Sequence, residues 1–384
     1  MGQTSRSAHP HQPGLDLLRG LCTLLVVLHH AAITYGAIGG WYYREVATSP
    51  RLDVQLLVFF CTVNQAWFMG LFFLLAGYFT PPALARKGVA DFVRGRLLRL
   101  GVPLLVYGTL IGPATIALAA TARGKPWADS FLTLLQHNTF ENGPLWFAQA
   151  LLLMTGATLV WWWARGRIPK PAAVQPALWQ ADHRPWPRRR TLLMAALATG
   201  AAAWLLRQAW PVGRNVWGLQ LGYFASYGVL FGVGCRAARS GWLERLPGAE
   251  VRFWWHLSLC CLPVLPVLYG LGARWPELRS AILPVAYAFW EPLVAWGILL
   301  RLLQAFGPEG RISGTFRPWQ TALSRRAFAI YVIHPPVLVA VALAGSGVSA
   351  APLLKWAVTG SLSCLLCFVL AGWLLRVRGV ARVL

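Results

Sequence analysis

Residues 15–38 have the sequence LDLLRGLCTLLVVLHHAAITYGAI, which is long and apolar enough to cross a bilayer as one helix. This stretch nevertheless contains Asp16, Arg19, His29 and His30, and ionisable groups inside hydrocarbon are costly enough to mark functional sites. Arg19 and His30 lie on one stripe of the predicted helix, about 16 Å apart along its axis. Asp16 lies one turn from Arg19 and can neutralise it, whereas His29 points about 80° away from the stripe. The alternative is a snorkelling arginine at the helix end and a packed histidine farther along.

The composition is that of an integral membrane protein. The chain has 384 residues, of which 57% are hydrophobic and only 12% are charged, whereas soluble domains carry about 25% charged residues. The formal net charge is +23, but the basic residues lie between apolar segments and form no stripe with interleaved aromatics. They therefore indicate membrane topology, and we expect no nucleic-acid partner. The seven cysteines lie in or beside apolar segments, where we expect them to pack, and we expect no metal site.

Apolar segments of about 20 residues recur along the chain and predict an all-α polytopic membrane bundle of about ten transmembrane helices. They are placed at 15–38, 55–80, 99–120, 144–164, 191–210, 216–236, 253–272, 282–303, 325–344 and 354–375. Lysine and arginine concentrate in the connections on the side of the N-terminus, so both termini are expected in the cytoplasm. The predicted organisation is a disordered tail at 1–14, a single transmembrane domain at 15–376 with a Pro-rich cytoplasmic loop at 165–190, and a tail at 377–384.

Further polar side chains interrupt the later predicted helices. Tyr331 and His334 lie one turn apart on the same face of the ninth helix, and two prolines follow them. This pair suits a site close to His30, although an interhelical hydrogen bond is the simpler alternative.

The remaining polar candidates lie at the predicted outer rim and inside two other helices. Glu141 precedes a Gly-Pro and a helix that opens with Trp146, and a carboxylate there suits an acid/base role or one that orients a histidine. The alternative is a solvated loop carboxylate. Asn64 and Gln65 interrupt the second helix, where they can also serve only as interhelical hydrogen-bonding groups. Glu291, in the eighth helix, must be protonated or paired, and a histidine is one candidate partner.

A basic cluster precedes the third predicted helix. Arg94, Arg96 and Arg99 occur in the segment RGRLLRLGVP, at a helix end on the predicted cytoplasmic side. Arginine forks bind phosphate oxygens with two hydrogen bonds, so this cluster could hold a phosphorylated cofactor. The alternative is a topology signal that also contacts anionic lipid.

Four of these segments, in this order, resemble the acyltransferase 3 family of membrane-bound O-acyltransferases, and most closely its glucan succinyltransferase branch. They are LDLLRGLCTLLVVLHHA, FFLLAGYFT followed by FVRGRLLRLGVP, GPLWFAQALLL, and AFAIYVIHPPVLV. The family's basic-x10-His spacing is met by Arg19 and His30. Two departures are Ala76, where the family has serine, and the absence of a histidine near Asn64 to Trp67.

The resemblance implies transfer of an acyl group, acetyl or succinyl, from cytoplasmic acyl-CoA to a hydroxyl of an extracytoplasmic carbohydrate or glycoconjugate. It also implies a multi-pass protein of the bacterial inner or plasma membrane, with His30 as general base or transient acyl carrier. Arg94, Arg96 and Arg99 are then expected to hold the CoA phosphates, and Arg19 and Asp16 to line the path of the donor. A transporter or flippase for a lipid-linked sugar or metabolite is the main alternative, although no internal repeat supports it.

In that scheme four residues are expected to shape the outer acceptor site or to orient His30, and they are Glu141, Trp146, Tyr331 and His334. Asn64, inside the second helix, is expected to give substrate or structural support.

Overall fold

The computed structural model describes residues 12–167, 184–272, 275–308, 310, 312 and 317–384. The predicted N-terminal tail therefore lies outside the described residues except at 12–14, and so does most of the predicted loop at 165–190. Helix α1 already begins at Pro13, two residues before the predicted domain start. The predicted C-terminal tail contains one short helix.

The described residues form helices joined by short irregular connections. The α-helices are α1 Pro13–Thr34, α2 Leu52–Arg96, α3 Val102–Val106, α4 Gly112–Ala120, α5 Trp127–Gln136, α6 Trp146–Ala164, α7 Arg189–Ala209, α8 Phe224–Ser240, α9 Gly248–Cys261, α10 Val264–Gly272, α11 Pro276–Phe306, α12 Pro318–Ala344, α13 Pro352–Leu374 and α14 Arg378–Ala381.

Eight helical stretches within the described residues are long and apolar enough to cross a membrane. One of them, Leu52–Arg123, has 72 residues and covers two of the predicted spans, because a bilayer needs only about 20. The predicted span at 216–236 corresponds to α8, which has 17 residues and begins at Phe224. The prediction of an all-α polytopic membrane bundle is confirmed. Many large apolar side chains remain exposed on its outside, as Leu105, Leu153 and Leu205 do, and lipid is their natural solvent.

The 72-residue stretch is kinked at a glycine. Gly88 has φ 74° and ψ 171°, a backbone conformation that is readily available only to glycine. After this break, five-residue π-helical segments at Leu97–Gly101 and Tyr107–Ile111 each end two residues before a proline, Pro103 and Pro113 respectively. Proline lacks the N–H that would continue the regular α-helical ladder, so the local widening falls where that ladder is broken.

Helix α1 lies inside the bundle and packs against α12, α13 and α2. Glycines allow several helices to approach closely. A Cβ at Gly77 of α2 would lie 2.1 Å from the carbonyl oxygen of Phe231 in α8, and one at Gly20 of α1 would lie 2.9 Å from Leu323 in α12. Small residues at such crossings are the usual way to bring transmembrane helices together. The α1–α12 contact positions the candidate site, because each of these helices carries one of the candidate histidines.

The connections at the C-terminal end of α1 gather around one large cavity of about 2350 Å³. Residues from 38–55, 140–149, 207–220 and 265–287 line it. One of its walls, the connection after α1, is tied down by an ion pair between Glu45 and Lys355 and by a 2.8 Å hydrogen bond from Thr48 to the carbonyl of Gly36. This face is the one predicted to be extracytoplasmic.

Candidate active site

His30 and His334 are in direct contact, although 304 positions separate them in the chain. His30 Nδ1 lies 3.0 Å from His334 Nε2, and the two rings are nearly parallel. His334, in α12, is completely buried where this helix packs on α1, whereas His30 is only partly buried and lines the cavity. The two candidates that the sequence placed on separate helices therefore form one unit, with His30 on the accessible side.

Proline explains how His334 is held. In an α-helix the carbonyl of Tyr331 would accept a hydrogen bond from the N–H of residue 335, but that residue is Pro335 and has none. His334 Nδ1 occupies the vacant acceptor and lies 2.6 Å from the Tyr331 oxygen. The local sequence Tyr-x-x-His-Pro thus fixes the ring of its own histidine.

The hydrogen-bond chain also determines the tautomers. A carbonyl oxygen only accepts, so His334 Nδ1 carries the proton in that bond and, in the neutral ring, Nε2 is the acceptor. His30 Nδ1 must then donate to His334 Nε2, which leaves the lone pair of His30 on its Nε2 atom. This is the arrangement that a general base needs, with one ring nitrogen oriented by a partner and the other free to take a proton.

An indole from the connection after α1 covers His30. Trp41 stacks on His30 with ring centroids 4.1 Å apart and planes 11° apart, and it also lies parallel to His334 at 5.9 Å. The stack holds the His30 ring in one plane. Sequence analysis did not identify Trp41, because nothing in the segment GGWYYRE indicates that it folds back onto α1.

His29 belongs to a different environment, as the helical spacing predicts. Its ring lies edge-on to that of His30, with an interplanar angle of 89°, and stacks on Phe68 of α2 at 4.9 Å. Among the described residues no group of three or more His, Cys, Asp or Glu side chains could hold a metal ion.

Glu141 organises the rim of the cavity. Its Oε1 atom accepts a 2.9 Å hydrogen bond from the backbone N–H of Gly143 and a 3.4 Å bond from the hydroxyl of Tyr42. Tyr42 also contacts the hydroxyl of Tyr107 at 3.1 Å. Burial, together with Tyr107 and Glu141, raises the pKa of Tyr42 above its usual range, so Tyr42 remains protonated and can donate. The contacts of Glu141 are with the rim, and His30 is oriented by His334.

Tyr331 and Trp146 join the rim to the helices beneath it. The hydroxyl of Tyr331 donates to the carbonyl of Pro144, which fastens the turn before α6 to α12. Trp146 stacks on Tyr227 of α8, with centroids 5.7 Å apart. Both side chains also line the cavity.

The polar candidates of the second predicted helix fall on different faces. Asn64 is buried away from the cavity lining, and its Nδ2 atom has no hydrogen-bond partner within the described part of the chain. Gln65 lines the cavity and donates a 3.1 Å bond to the hydroxyl of Tyr227. Gln65, and not the predicted site residue Asn64, therefore lines the cavity.

Glu291 pairs with an arginine, and the histidine partner considered from the sequence was wrong. Its carboxylate forms an ion pair with Arg207, and the two side chains are only 3% and 8% exposed, respectively. Arg207 also lies over the rings of Tyr223 and Tyr287. An Arg in α7 and a Glu in α11 give no local sequence signal that they meet.

The candidates on the predicted cytoplasmic side are less closely grouped. Arg19 pairs with Asp16 at 2.9 Å, as their spacing predicts. Arg96 turns inward and donates to Thr80 Oγ1 at 3.0 Å, whereas the side chains of Arg94 and Arg99 are exposed. None of these five charged residues lines the large cavity.

Arg96 has a basic neighbourhood that the sequence analysis did not include. Arg96 and Arg239 both lie near Cys235 of α8, and Arg239 lies over the ring of Trp162 at 4.5 Å. The Nε atom of Arg239 is buried and has no hydrogen-bond partner among the described residues.

Comparison with known proteins identifies the family. The sequence family described as "Acyltransferase domain" matches residues 12–372, nearly the whole chain. The chain belongs to the acyltransferase 3 family. Membership places it among membrane acyltransferases, and the paired histidines lie inside the matched region.

The curated relatives are distant. The chain is 24% identical over 179 residues to "Glucans biosynthesis protein C" of Salmonella typhi and of Salmonella typhimurium (strain LT2), and to the same protein of Salmonella schwarzengrund. Each match covers 44% of this chain and 44% of the relative, so the chain matches less than half the length of these curated proteins. No solved structure matches the chain.

Proposed function

We propose that the protein is a membrane-bound O-acyltransferase of a bacterial inner or plasma membrane. It moves an acyl group, acetyl or succinyl, from cytoplasmic acyl-CoA to a hydroxyl of an extracytoplasmic carbohydrate or glycoconjugate. The observation that carries this proposal is the oriented His30 ring, which lines the large cavity and keeps the lone pair of its Nε2 atom free of His334. That cavity exceeds the roughly 300–1,000 Å³ of a typical small-molecule site and so has room for a glycan.

The chemistry follows from the tautomer. His30 Nε2 takes the proton of the acceptor hydroxyl as its oxygen attacks the thioester carbonyl, and a tetrahedral intermediate forms. Collapse of this intermediate forms the ester bond and breaks the carbon–sulfur bond, and the CoA thiolate takes the proton back from His30. The positive charge on His30 during this cycle is stabilised by its Nδ1–H bond to His334. We propose direct transfer, because no step of this scheme requires an acyl-enzyme.

The donor must reach His30 from the opposite face. Arg19 and His30 belong to one uninterrupted helix, so about 16 Å separates them along its axis. We assign the CoA phosphates to the basic cluster beyond Arg19. Within that cluster Arg96 is the side chain that turns into the bundle, and Arg94 and Arg99 supply charge at the surface.

The test uses purified protein, radiolabelled acetyl-CoA and succinyl-CoA, and linear glucose oligosaccharides as acceptors. His30→Ala should lower transfer by about 10²-fold or more, the usual contribution of a general base, while the donor still binds. Arg96→Ala should instead weaken donor binding by about tenfold, as expected when a charge-assisted hydrogen bond is lost. His137→Ala and Arg86→Ala are matched controls, because both side chains are exposed and lie outside the proposed site.

Two outcomes would contradict the proposal. If folded His30→Ala protein transferred acyl groups at the wild-type rate, His30 could not be the general base. Failure of the wild type to bind either acyl-CoA would return the arginines to the role of topology signals, and transport of a lipid-linked sugar or metabolite would become the better explanation.

A further inference from the structure

A tight reversal of the chain forms part of the cavity rim between α7 and α8. Val216 and Leu219 exchange two backbone hydrogen bonds of 2.9 Å each, so Trp217 and Gly218 are the two central residues of the turn. Their φ angles are 52° and 76°, both positive. This is the backbone of a type I′ turn, which strongly favours Asn-Gly or Asp-Gly at its centre.

Tryptophan is an unexpected residue in that conformation. A positive φ is unfavourable for a bulky side chain. The neighbouring Gly218 suits its positive φ, and it is also required because no room is left for a Cβ. A Cβ at Gly218 would lie 2.2 Å from the side-chain amide of Asn142. Residues held in rare backbone conformations cluster at functional sites, so this one calls for an explanation.

Side-chain amides contact the backbone carbonyl of Trp217, whereas its ring is exposed. Gln149 donates to the Trp217 carbonyl at 3.3 Å, and Asn142 approaches it at 3.5 Å. Asn142 also donates to Gln149 at 2.7 Å, and it is 94% buried. The Trp217 side chain is 89% exposed and has no aromatic or cation–π contact with the described part of the chain.

The surroundings of this indole are rich in amides. Asn142, Gln149, Asn215 and Gln220 line the same cavity as Trp217. Side-chain amides both donate and accept hydrogen bonds, which suits a ligand that carries many hydroxyl groups. An exposed indole face supplies the apolar contact for the C–H face of a sugar ring.

We propose that Trp217 is the platform on which a sugar ring of the acceptor stacks at the cavity rim, with the neighbouring amides binding its hydroxyls. This inference rests on the proposed function, and it assigns to the acceptor a second contact away from His30. Sugar binding would then explain why tryptophan occupies a turn position that disfavours it. A membrane-interface anchor is the competing role for an exposed tryptophan.

The experiment compares Trp217→Asn with Trp217→Ala and with Trp163→Ala. Asparagine suits the positive φ, so Trp217→Asn removes the ring while it retains a favourable turn. Trp163 is a matched control because it is 73% exposed at the end of α6 and does not line the cavity. For each protein we would measure the KM for linear glucose oligosaccharides, the KM for acyl-CoA, kcat, the thermal midpoint in nanodiscs, and binding of a fluorescently labelled glucose oligosaccharide.

The expected result is a rise of about tenfold in acceptor KM and Kd for both Trp217 variants, the scale of one lost aromatic stack. The acyl-CoA KM and the thermal midpoint of Trp217→Asn should equal those of the wild type, and Trp163→Ala should change neither KM. An unchanged acceptor KM in Trp217→Asn, or wild-type protein that binds no glucose oligosaccharide, would overturn the platform. A lowered thermal midpoint with unchanged acceptor KM would assign Trp217 to the membrane interface.

The two proposals fail in different ways. Wild-type protein that binds the oligosaccharide through Trp217 but transfers no acyl group would contradict the proposed function and leave the platform standing. Normal transfer with an unchanged acceptor KM in the Trp217 variants would contradict the platform and leave the proposed function standing.

Discussion

His334 is the residue whose removal tests the proposed mechanism most directly. It is fully buried, does not line the large cavity and is expected to touch neither substrate, so its effect must pass through His30. Replacement by leucine keeps a buried side chain of similar size and removes the acceptor for His30 Nδ1–H. His334→Gln places an amide oxygen where His334 Nε2 lies and so can keep that acceptor.

The expected fall in kcat follows from the loss of one hydrogen bond, the one between His30 Nδ1 and His334 Nε2. A hydrogen bond to a charged group contributes about 1.5–3 kcal/mol, and His30 carries its charge only while it holds the acceptor proton. Because about 1.4 kcal/mol corresponds to tenfold in rate, His334→Leu should lower kcat by about 10- to 150-fold. The KM for acyl-CoA should not change, since the bond is needed in the transition state and not for donor binding.

The assay is steady-state transfer from radiolabelled acyl-CoA to glucose oligosaccharides, with size-exclusion profiles to verify the fold. His334→Gln should recover most of the rate lost in His334→Leu, because a merely structural defect would not respond to a hydrogen-bond acceptor. The reasoning is refuted if folded His334→Leu protein turns over at the wild-type rate, or if the glutamine variant is as slow as the leucine variant.

Two further predictions concern stability. Glu291→Gln leaves Arg207 as an unpaired buried charge and should destabilise the protein by about 3–5 kcal/mol. Glu250→Gln breaks a pair whose arginine, Arg189, is 44% exposed, and it should cost less than about 1 kcal/mol. Equal thermal midpoints for the two variants would contradict this prediction. Gly77→Ala should lower the thermal midpoint by forcing α2 away from the Phe231 carbonyl, with a cost of about 1–3 kcal/mol, and an unchanged midpoint would show that the crossing can relax.

Most of the fold could be predicted because lipid imposes a simple rule. Every backbone polar group inside hydrocarbon must be satisfied within its own helix or a closed barrel, so long apolar segments indicate helices directly. The span predicted at 216–236 began too early for a local reason. Its first residues, including Trp217 and Leu219, are apolar enough to resemble a helix but form a turn, and α8 begins only at Phe224.

The candidate site was predictable where one helix carries the signal. The spacing of Arg19 and His30, and the Tyr-x-x-His-Pro segment, lie within single helices and so can be read from the sequence. Contacts between distant segments could not be predicted. Trp41 reaches His30 only because its connection is tied down on α1, and Arg207 meets Glu291 only because α7 packs on α11.

The sequence by itself determined that this is a helical membrane protein with a polar stripe along its first helix, because hydrophobic length and helical periodicity are local properties. Only the tertiary structure decided that His334 Nε2 lies 3.0 Å from His30 Nδ1, and hence which nitrogen of His30 is free. That contact depends on the register between α1 and α12, where Gly20 allows close packing and Pro335 frees the carbonyl that holds His334. The register is set by packing across the whole bundle and by no single segment of the chain.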